Sequence, residues 1–438
     1  MSQARIGGGN GRAGGEGAVM KRPHYAWVVA GASFVVLLVA AGIRSTPGVI
    51  MVPVEHDMGW SAQSVSAAAA INIALFGLTG PFAAALMQTF GLRRTVVLGL
   101  VVSAAGIFAA SFAREPWQLI LTWGVLAGIG LGMLAMVLAA TVANRWFVKQ
   151  RGLVMGALTA STATGQLVFL PLLASVATLH GWRSATMIVG TAALVAIVPV
   201  LLFIRDRPES MGLLAYGATE TPARAPISQN PIVLAFGELG RASKTGSFWI
   251  LAGTFFICGA STNGLIGTHF IAACGDHGIP EVRAAGLLAA MGILDLVGTT
   301  ASGWLSDRVD NRVLLFTYYG LRGLSLLFLP YALDASFAGL SVFAAFYGLD
   351  WIATVPPTVR LANKAFGVEA SPLVFGWISA SHQLGAGVAA FGAGSVRTFF
   401  GSYSPAFEIS GMLCVAAAFA VLAFRGERRA PEPALAIS

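Results

Sequence analysis

Residues 26–52 read AWVVAGASFVVLLVAAGIRSTPGVIMV, with a single charge, Arg44, in 27 positions. About 20 apolar residues in a helix cross the roughly 30 Å of hydrocarbon in a bilayer. The run shows no period-2 alternation, which separates it from the strand of a closed membrane barrel. Eleven more apolar runs follow, at 64–87, 95–112, 117–143, 153–178, 184–204, 248–273, 284–305, 313–333, 336–359, 373–397 and 403–424. A polar stretch, 205–246, with Pro208, Pro222, Pro226 and Pro231, divides them six and six. The predicted fold is therefore an all-α membrane protein of twelve transmembrane helices in two pseudo-repeated halves, 23–204 and 247–425. The linker 205–246 joins them, and tails at 1–22 and 426–438 flank them. The first tail is Gly-rich and polar, without an apolar stretch ahead of a cleavage site, so it reads as a disordered tail rather than a signal peptide.

Composition points the same way. Of 438 residues, 56% are hydrophobic and 11% charged, against roughly 25% charged in soluble chains. The net charge of +8 does not imply nucleic acid, because its placement has another cause. With the amino terminus in the cytoplasm, 21 of the 27 Lys and Arg fall in cytoplasmic segments and 4 in outer loops. That bias predicts a multi-pass protein of the inner (plasma) membrane with both termini inside. Cys258, Cys274 and Cys414 form no CxxC pair and read as small buried side chains.

The halves repeat. Ala84-Ala85-Leu86-Met87-Gln88-Thr89 follows the second run, and Gly303-Trp304-Leu305-Ser306-Asp307-Arg308 follows the eighth at an offset of 219. Gly156, Ala160, Ser161 and Gly165 of the fifth run recur as Gly376, Ala380, Ser381 and Gly385 of the eleventh, at an offset of 220. Parallel six-helix repeats place a substrate near the midplane between two rocking halves.

These segments resemble the major facilitator superfamily, whose loop after the second helix reads G-x-L-x-D-R-x-G-R-R. The first copy keeps Leu86, Gly91, Arg93 and Arg94 but has Gln88 for the acid and Ala84 for the first Gly; the second keeps Gly303, Leu305, Asp307 and Arg308. Within the superfamily the chain is most similar to the monocarboxylate and oxalate/formate porter branch. The similarity lies in Asn144–Gly152, in Leu294-Asp295-Leu296-Val297, in Arg205–Gly212, and in Arg44 near the branch's substrate-linked Lys. The branch's Arg four residues after the eighth-run acid is Thr299 here. The fifth run lacks the G-x-x-x-G-P-x-x-G-G of drug/proton antiporters, since Gln166 follows Gly165. The resemblance implies a secondary active transporter of a small organic anion, coupled to protons. The competing readings are an efflux pump for neutral or drug-like compounds and an organic anion exchanger. A non-transporting sensor is weighed against by the short tails, and a membrane enzyme by the lack of a clustered catalytic constellation.

Charged side chains at membrane depth cost at least ~2.5–3.5 kcal/mol on insertion scales, which makes each a functional candidate. Asp295 is the expected proton carrier, with Asp350 and Arg322 as partners in proton coupling; Arg322 pairs either with Asp350 or with Asp295. Arg44 is the expected grip on a carboxylate, which a guanidinium holds by two parallel hydrogen bonds; the alternatives are snorkelling or pairing with Glu55 or Asp57. His382 and Gln383, with the amides Asn72, Gln166 and Asn263, are the remaining substrate-binding candidates. Pro356-Pro357 is expected to kink the tenth helix. Arg93, Arg94, Asp307, Arg308 and Arg312 are expected to gate the cytoplasmic side, with a weakened latch in the first half because Gln88 lacks the charge. Gly128, Gly130 and Gly132 spell GxGxG, but no strand precedes them, so they read as helix packing rather than a nucleotide loop. His269, Asp276 and His277 have no spacing that fixes a metal geometry. The expected partners are a small organic anion, protons and the lipid bilayer, with no nucleic acid, no metal and no cofactor; a monomer suffices.

Overall fold

The structure, a computed structural model, describes residues 24–134, 136–220, 231–335 and 337–425. Both predicted tails, 1–22 and 426–438, lie wholly outside these, as does 221–230 of the linker. The first half comprises α1 (Tyr25–Met58), α2 (Ala62–Thr89), α3 (Leu92–Ala110), α4 (Pro116–Trp146), α5 (Arg151–His180) and α6 (Trp182–Phe203). The second comprises α7 (Gly246–Asp276), α8 (Glu281–Ser306), α9 (Asn311–Ala335), α10 (Phe337–Asp350, continuing over 355–366), α11 (368–400) and α12 (Ser404–Leu422). A linker helix, Pro231–Ala242, lies between the halves.

Among the described residues, eleven helical segments are long and apolar enough to cross a bilayer. The twelfth, α11, is helical but diluted by Ser379, Ser381, His382, Gln383 and its glycines. Gly367, at φ 78° and ψ 159°, makes the corner between α10 and α11. A side chain in that left-handed region is strained, and glycine is not.

Lipid offers backbone groups no hydrogen bonds, so the spans must be helical throughout or be satisfied locally. Hydroxyls inside α1 follow the same rule. Ser33, Ser45 and Thr46 each donate to the carbonyl four residues back, at 2.8, 2.9 and 2.8 Å, and so need no outside partner.

Small residues let the helices touch. A Cβ on Gly130 would sit 2.7 Å from the Gly99 carbonyl, and one on Gly128 2.9 Å from Asn72 Cα. The GxGxG is therefore a close-packing surface, with its glycines against α2 and α3. The halves meet in the same way: Gly48 of α1 faces the Gly267 carbonyl of α7, and Gly387 of α11 faces the Ala70 carbonyl of α2.

The helix-end bonds that join the halves lie on the face away from the linker. The Gln63 amide donates to Thr398 Oγ1 at 3.0 Å, and Tyr403 lies over Met51 Sδ at 3.9 Å. Towards the linker face, a Cβ on Gly152, Gly156, Gly303 or Gly376 would meet nothing within 4 Å.

One expectation for α10 is corrected. The helix breaks at 351–354, ahead of the proline pair. Pro356 and Pro357 sit in the first turn of the restarted helix, where amide donors have no helical acceptor and proline is tolerated. The prolines mark where the helix resumes, and Asp350 is the last residue before the break rather than a mid-helix acid.

Replacing Gly387 with Val should drive its side chain into the Ala70 carbonyl, 2.8 Å from the built Cβ. The expected loss is about 1–3 kcal/mol, read as a lowered thermal unfolding midpoint in detergent. Gly156→Val, with open space around it, should leave the midpoint unchanged.

Candidate functional site

Between the halves lies a pocket of about 510 Å³ of space, part of it open to solvent. Arg44, Ser45, Pro47 and Gly48 of α1, Ile73 of α2, and Gln166 and Leu170 of α5 line it from the first half. Asn263, Gly267 and Thr268 of α7, Leu288 of α8 and Trp351 line it from the second. Local sequence shapes both long walls. Pro47 leaves the Ile43 carbonyl, next to Arg44, without its helical amide donor. On α7, residues Ala260–Ile266 form a π-helical stretch, a feature frequent at functional sites, and it carries Asn263.

Arg44 is the charged member of this lining. Its guanidinium carbon stands 5.4 Å from the centre of the Phe76 ring, and among the described residues no carboxylate bridges it. Pairing with Asp57 is ruled out by geometry: Asp57 bridges Arg183 and accepts from the Trp182 indole at 2.9 Å. Gln166 and Asn263 face the same space, so three of the six substrate-binding candidates share one pocket.

The other three do not line it. Asn72 is buried at 3% exposure and gives its amide to the Trp123 carbonyl at 2.8 Å, which ties α2 to α4. His382 packs its ring 4.8 Å from that of Phe255 on α7. Gln383 is wedged against Gly77 of α2, with its Oε1 buried and unpartnered.

A second polar centre sits deeper in the second half. Arg322 is fully buried and bonds Asp350 Oδ2 through Nε at 2.7 Å. Its Nη1 lies 2.9 Å from Cys258 Sγ, so Cys258 is more than a filler. Asp350 Oδ1 is buried without a partner. Asp295 does not bridge Arg322; its Oδ1 accepts from Thr299 Oγ1 and from the Ile352 amide, both at 2.8 Å.

The linker-face residues behave unequally. Asp307 at the end of α8 pairs with Arg360 on the continuation of α10. Arg308 stacks on Trp304, with its guanidinium carbon 4.1 Å from the ring centre. Among the described residues Arg312 pairs only with Asp310, two positions before it, at 2.7 Å, and that exposed bond holds the Asp310 carboxyl below its ordinary value. Arg94 is exposed.

In the first half, the expectation of a latch weakened by Gln88 misses Asp206. This acid, from the start of the linker, accepts the Arg93 amide at 2.9 Å and thereby caps α3. Gly91 makes room for it, since a Cβ there would meet both carboxylate oxygens at 2.7 Å. Arg145 of α4 then binds the Asp206 carbonyl at 3.3 Å and the Met87 carbonyl at 3.0 Å. Asp206 stood in the quoted Arg205–Gly212 stretch, but no local spacing linked it to α3.

His269, Asp276 and His277 go three ways. His269 contacts Tyr403 and the Ala390 carbonyl, Asp276 bridges Arg397 at 2.6 Å, and His277 faces Asp334 at 3.2 Å.

Two six-helix halves around a central polar pocket are the architecture of a two-domain membrane transporter. The sequence profile of the Major Facilitator Superfamily matches residues 33–390, and the chain belongs to that superfamily; it is a multi-pass membrane transporter, not an enzyme. It is similar to monocarboxylate transporter 13 of Rattus norvegicus, 28% identical over 396 residues that cover 90% of this chain and 87% of the relative. It is also similar to an MFS-type transporter of Bacillus subtilis, YcxA, 23% identical over 379 residues, covering 85% and 88%. Among solved structures, a bacterial homologue of the human lysosomal transporter Spinster shares the fold, with a TM-score of 0.67, 15% identity and coverage of 91% and 95%.

Removing the Asp206 carboxylate should loosen the linker end of α3. Asp206→Ala is expected to cost about 0.5–2 kcal/mol, the range for a lost helix cap, seen as a lower unfolding midpoint. Asp206→Asn, which retains an acceptor, should lose less.

Proposed function

We propose that the protein carries a small, monocarboxylate-like organic anion across the cytoplasmic membrane together with a proton. The observation that carries this reading is Arg44: a guanidinium without a carboxylate partner, facing a pocket built by both halves. An unpaired charge at that depth is costly, and a substrate carboxylate would supply the missing partner through two parallel hydrogen bonds. Gln166, Asn263 and Thr268 are the neutral polar groups that would orient the rest of the molecule. Similarity to monocarboxylate transporters over most of the chain supports the substrate class.

The charges sunk between the halves and in the second half then balance. Arg44 and Arg322 are matched by Asp295 and Asp350. A bound monoanion adds one negative charge, and a proton on Asp295 restores the sum. The loaded carrier therefore changes sides without moving net charge. Alternating access follows the two-half design: contacts at the face away from the linker would part as those at the linker face form. The excess of Lys and Arg on the linker side supports a cytoplasmic position for that face and for both termini.

Uptake of labelled small carboxylates into proteoliposomes tests this. An inward proton gradient should drive accumulation, and an imposed potassium-diffusion potential should leave it unchanged. Arg44→Ala should lower uptake at least about tenfold, the loss of one charge-assisted contact. Arg44→Lys should mainly raise the half-saturating concentration. Asp295→Asn should abolish gradient-driven accumulation while counterflow exchange continues. No carboxylate movement under any gradient would overturn the anion reading in favour of efflux of neutral compounds.

A further inference from the structure

The turn at 351–354 leaves the helical ladder where α7, α8 and α9 surround it; the Trp351 amide keeps a backbone bond to the Gly348 carbonyl and the Ile352 carbonyl one from the Val355 amide, and side chains take further polar groups of the turn. The Ile352 amide donates to Asp295 Oδ1 at 2.8 Å. The Ala353 carbonyl accepts from Ser302 Oγ at 2.5 Å. Arg322 Nη2 donates to the Asp350 carbonyl and, at 3.1 Å, to that of Trp351. The Thr354 hydroxyl lies 3.3 Å from Cys258 Sγ. A broken helix at this depth persists only with such partners.

This turn also reaches the pocket, because Trp351 lines it along with Arg44. Asp295 does not line it. The acid and the guanidinium thus belong to separate spaces, and the path between them runs from Asp295 Oδ1 through the Ile352 amide to Trp351. Thr299, one helical turn beyond Asp295, gives its hydroxyl to the same carboxylate oxygen and offers no charge that could bridge the two spaces.

We propose that the helix 8 acid is coupled to the anion pocket through the backbone of this turn. Ionised Asp295 holds Trp351 in the pocket wall by accepting the Ile352 amide, and neutralising Asp295 releases that wall. The part of this that concerns transport rests on the anion reading above. A carboxylate holds an amide about twice as strongly as a neutral oxygen does, so one proton alters the restraint on the turn. The other ionisable groups around the acid are Arg322, Tyr318 and Tyr319 of α9, Asp350 and Tyr347 of α10, Cys258 of α7 and Cys414 of α12, with Tyr318 also meeting Ser302. Arg322 keeps its proton and is committed to Asp350. Among the described residues Asp295 is bonded only to neutral donors, Thr299 and Ile352, and it is not tied to a guanidinium as Asp350 is. Asp295 and Ser302 act on the pocket as positioning residues.

Amide hydrogen exchange on the full chain in nanodiscs, with no substrate present, tests the proposal. Peptides spanning 348–356 are compared at neutral and mildly acid pH after correction for intrinsic rates. Acid, or Asp295→Asn at neutral pH, should speed exchange at 351–354 about tenfold, the scale of one charge-assisted hydrogen bond, while peptides from α9 stay unchanged. Ser302→Ala should speed exchange at neutral pH with Asp295 intact. In proteoliposomes it should lower the ratio of gradient-driven accumulation to counterflow, and Ser302→Thr should restore that ratio. Exchange at 351–354 that is indifferent to pH in the wild type overturns the proposal, whether or not the variants fold. A normal exchange response in a protein that moves no carboxylate would defeat the anion reading alone.

Discussion

At the middle of a bilayer a peptide group has no water to turn to, and this constraint organises the second half of the molecule. Helix α10 stops at Asp350 and resumes at Val355, freeing donors and acceptors that lipid cannot satisfy. Arg322 closes the account on the carbonyl side, and Asp295 and Ser302 serve the groups that follow. A buried ion pair is weak ground for stability when considered alone. Here the guanidinium also terminates a helix, so the pair Arg322–Asp350 has an architectural task that two well-packed apolar side chains could not take over.

The two halves each hold six helices but solve their local problems differently. The first half keeps its charge, Arg44, unpaired and facing the pocket, while the second buries its charges in a bonded cluster. On the linker face the second half closes α8 onto α10 through Asp307 and Arg360. The first half has Gln88 at the matching place and takes its carboxylate from Asp206 in the chain beyond α6.

Helix number, the two-half division and the intramembrane charges were legible in the sequence because hydropathy and charge act over whole segments. Arg44 stood out as one charge in 27 residues, and the Arg322–Asp350 pairing was one of two stated alternatives. What resisted reading was anything that depends on helix rotation. Asn72 faces Trp123 and not the pocket, a difference of orientation that a Gly- and Ala-rich helix does not encode in its periodicity. The break in α10 was displaced from the prolines because proline's missing amide is harmless in a first turn, and side chains from distant helices decide where the ladder ends. Asp206 escaped notice because its partner, the Arg93 amide, lies more than a hundred residues earlier in the chain.

The chain after α6 has a consequence for where the molecule divides. Asp206 caps α3, Arg145 holds the Asp206 carbonyl, and the Tyr216 amide and carbonyl pair with Trp146 and Val148. Residues 205–217 are therefore woven into the first half, although by composition they belong to the linker. The seam between the two halves falls beyond Gly217. Two separately expressed fragments meant to reassemble would have to leave this strap on the amino-terminal piece; a cut at residue 204 would strip α3 and α4 of the carboxylate and backbone partners that bind their ends together.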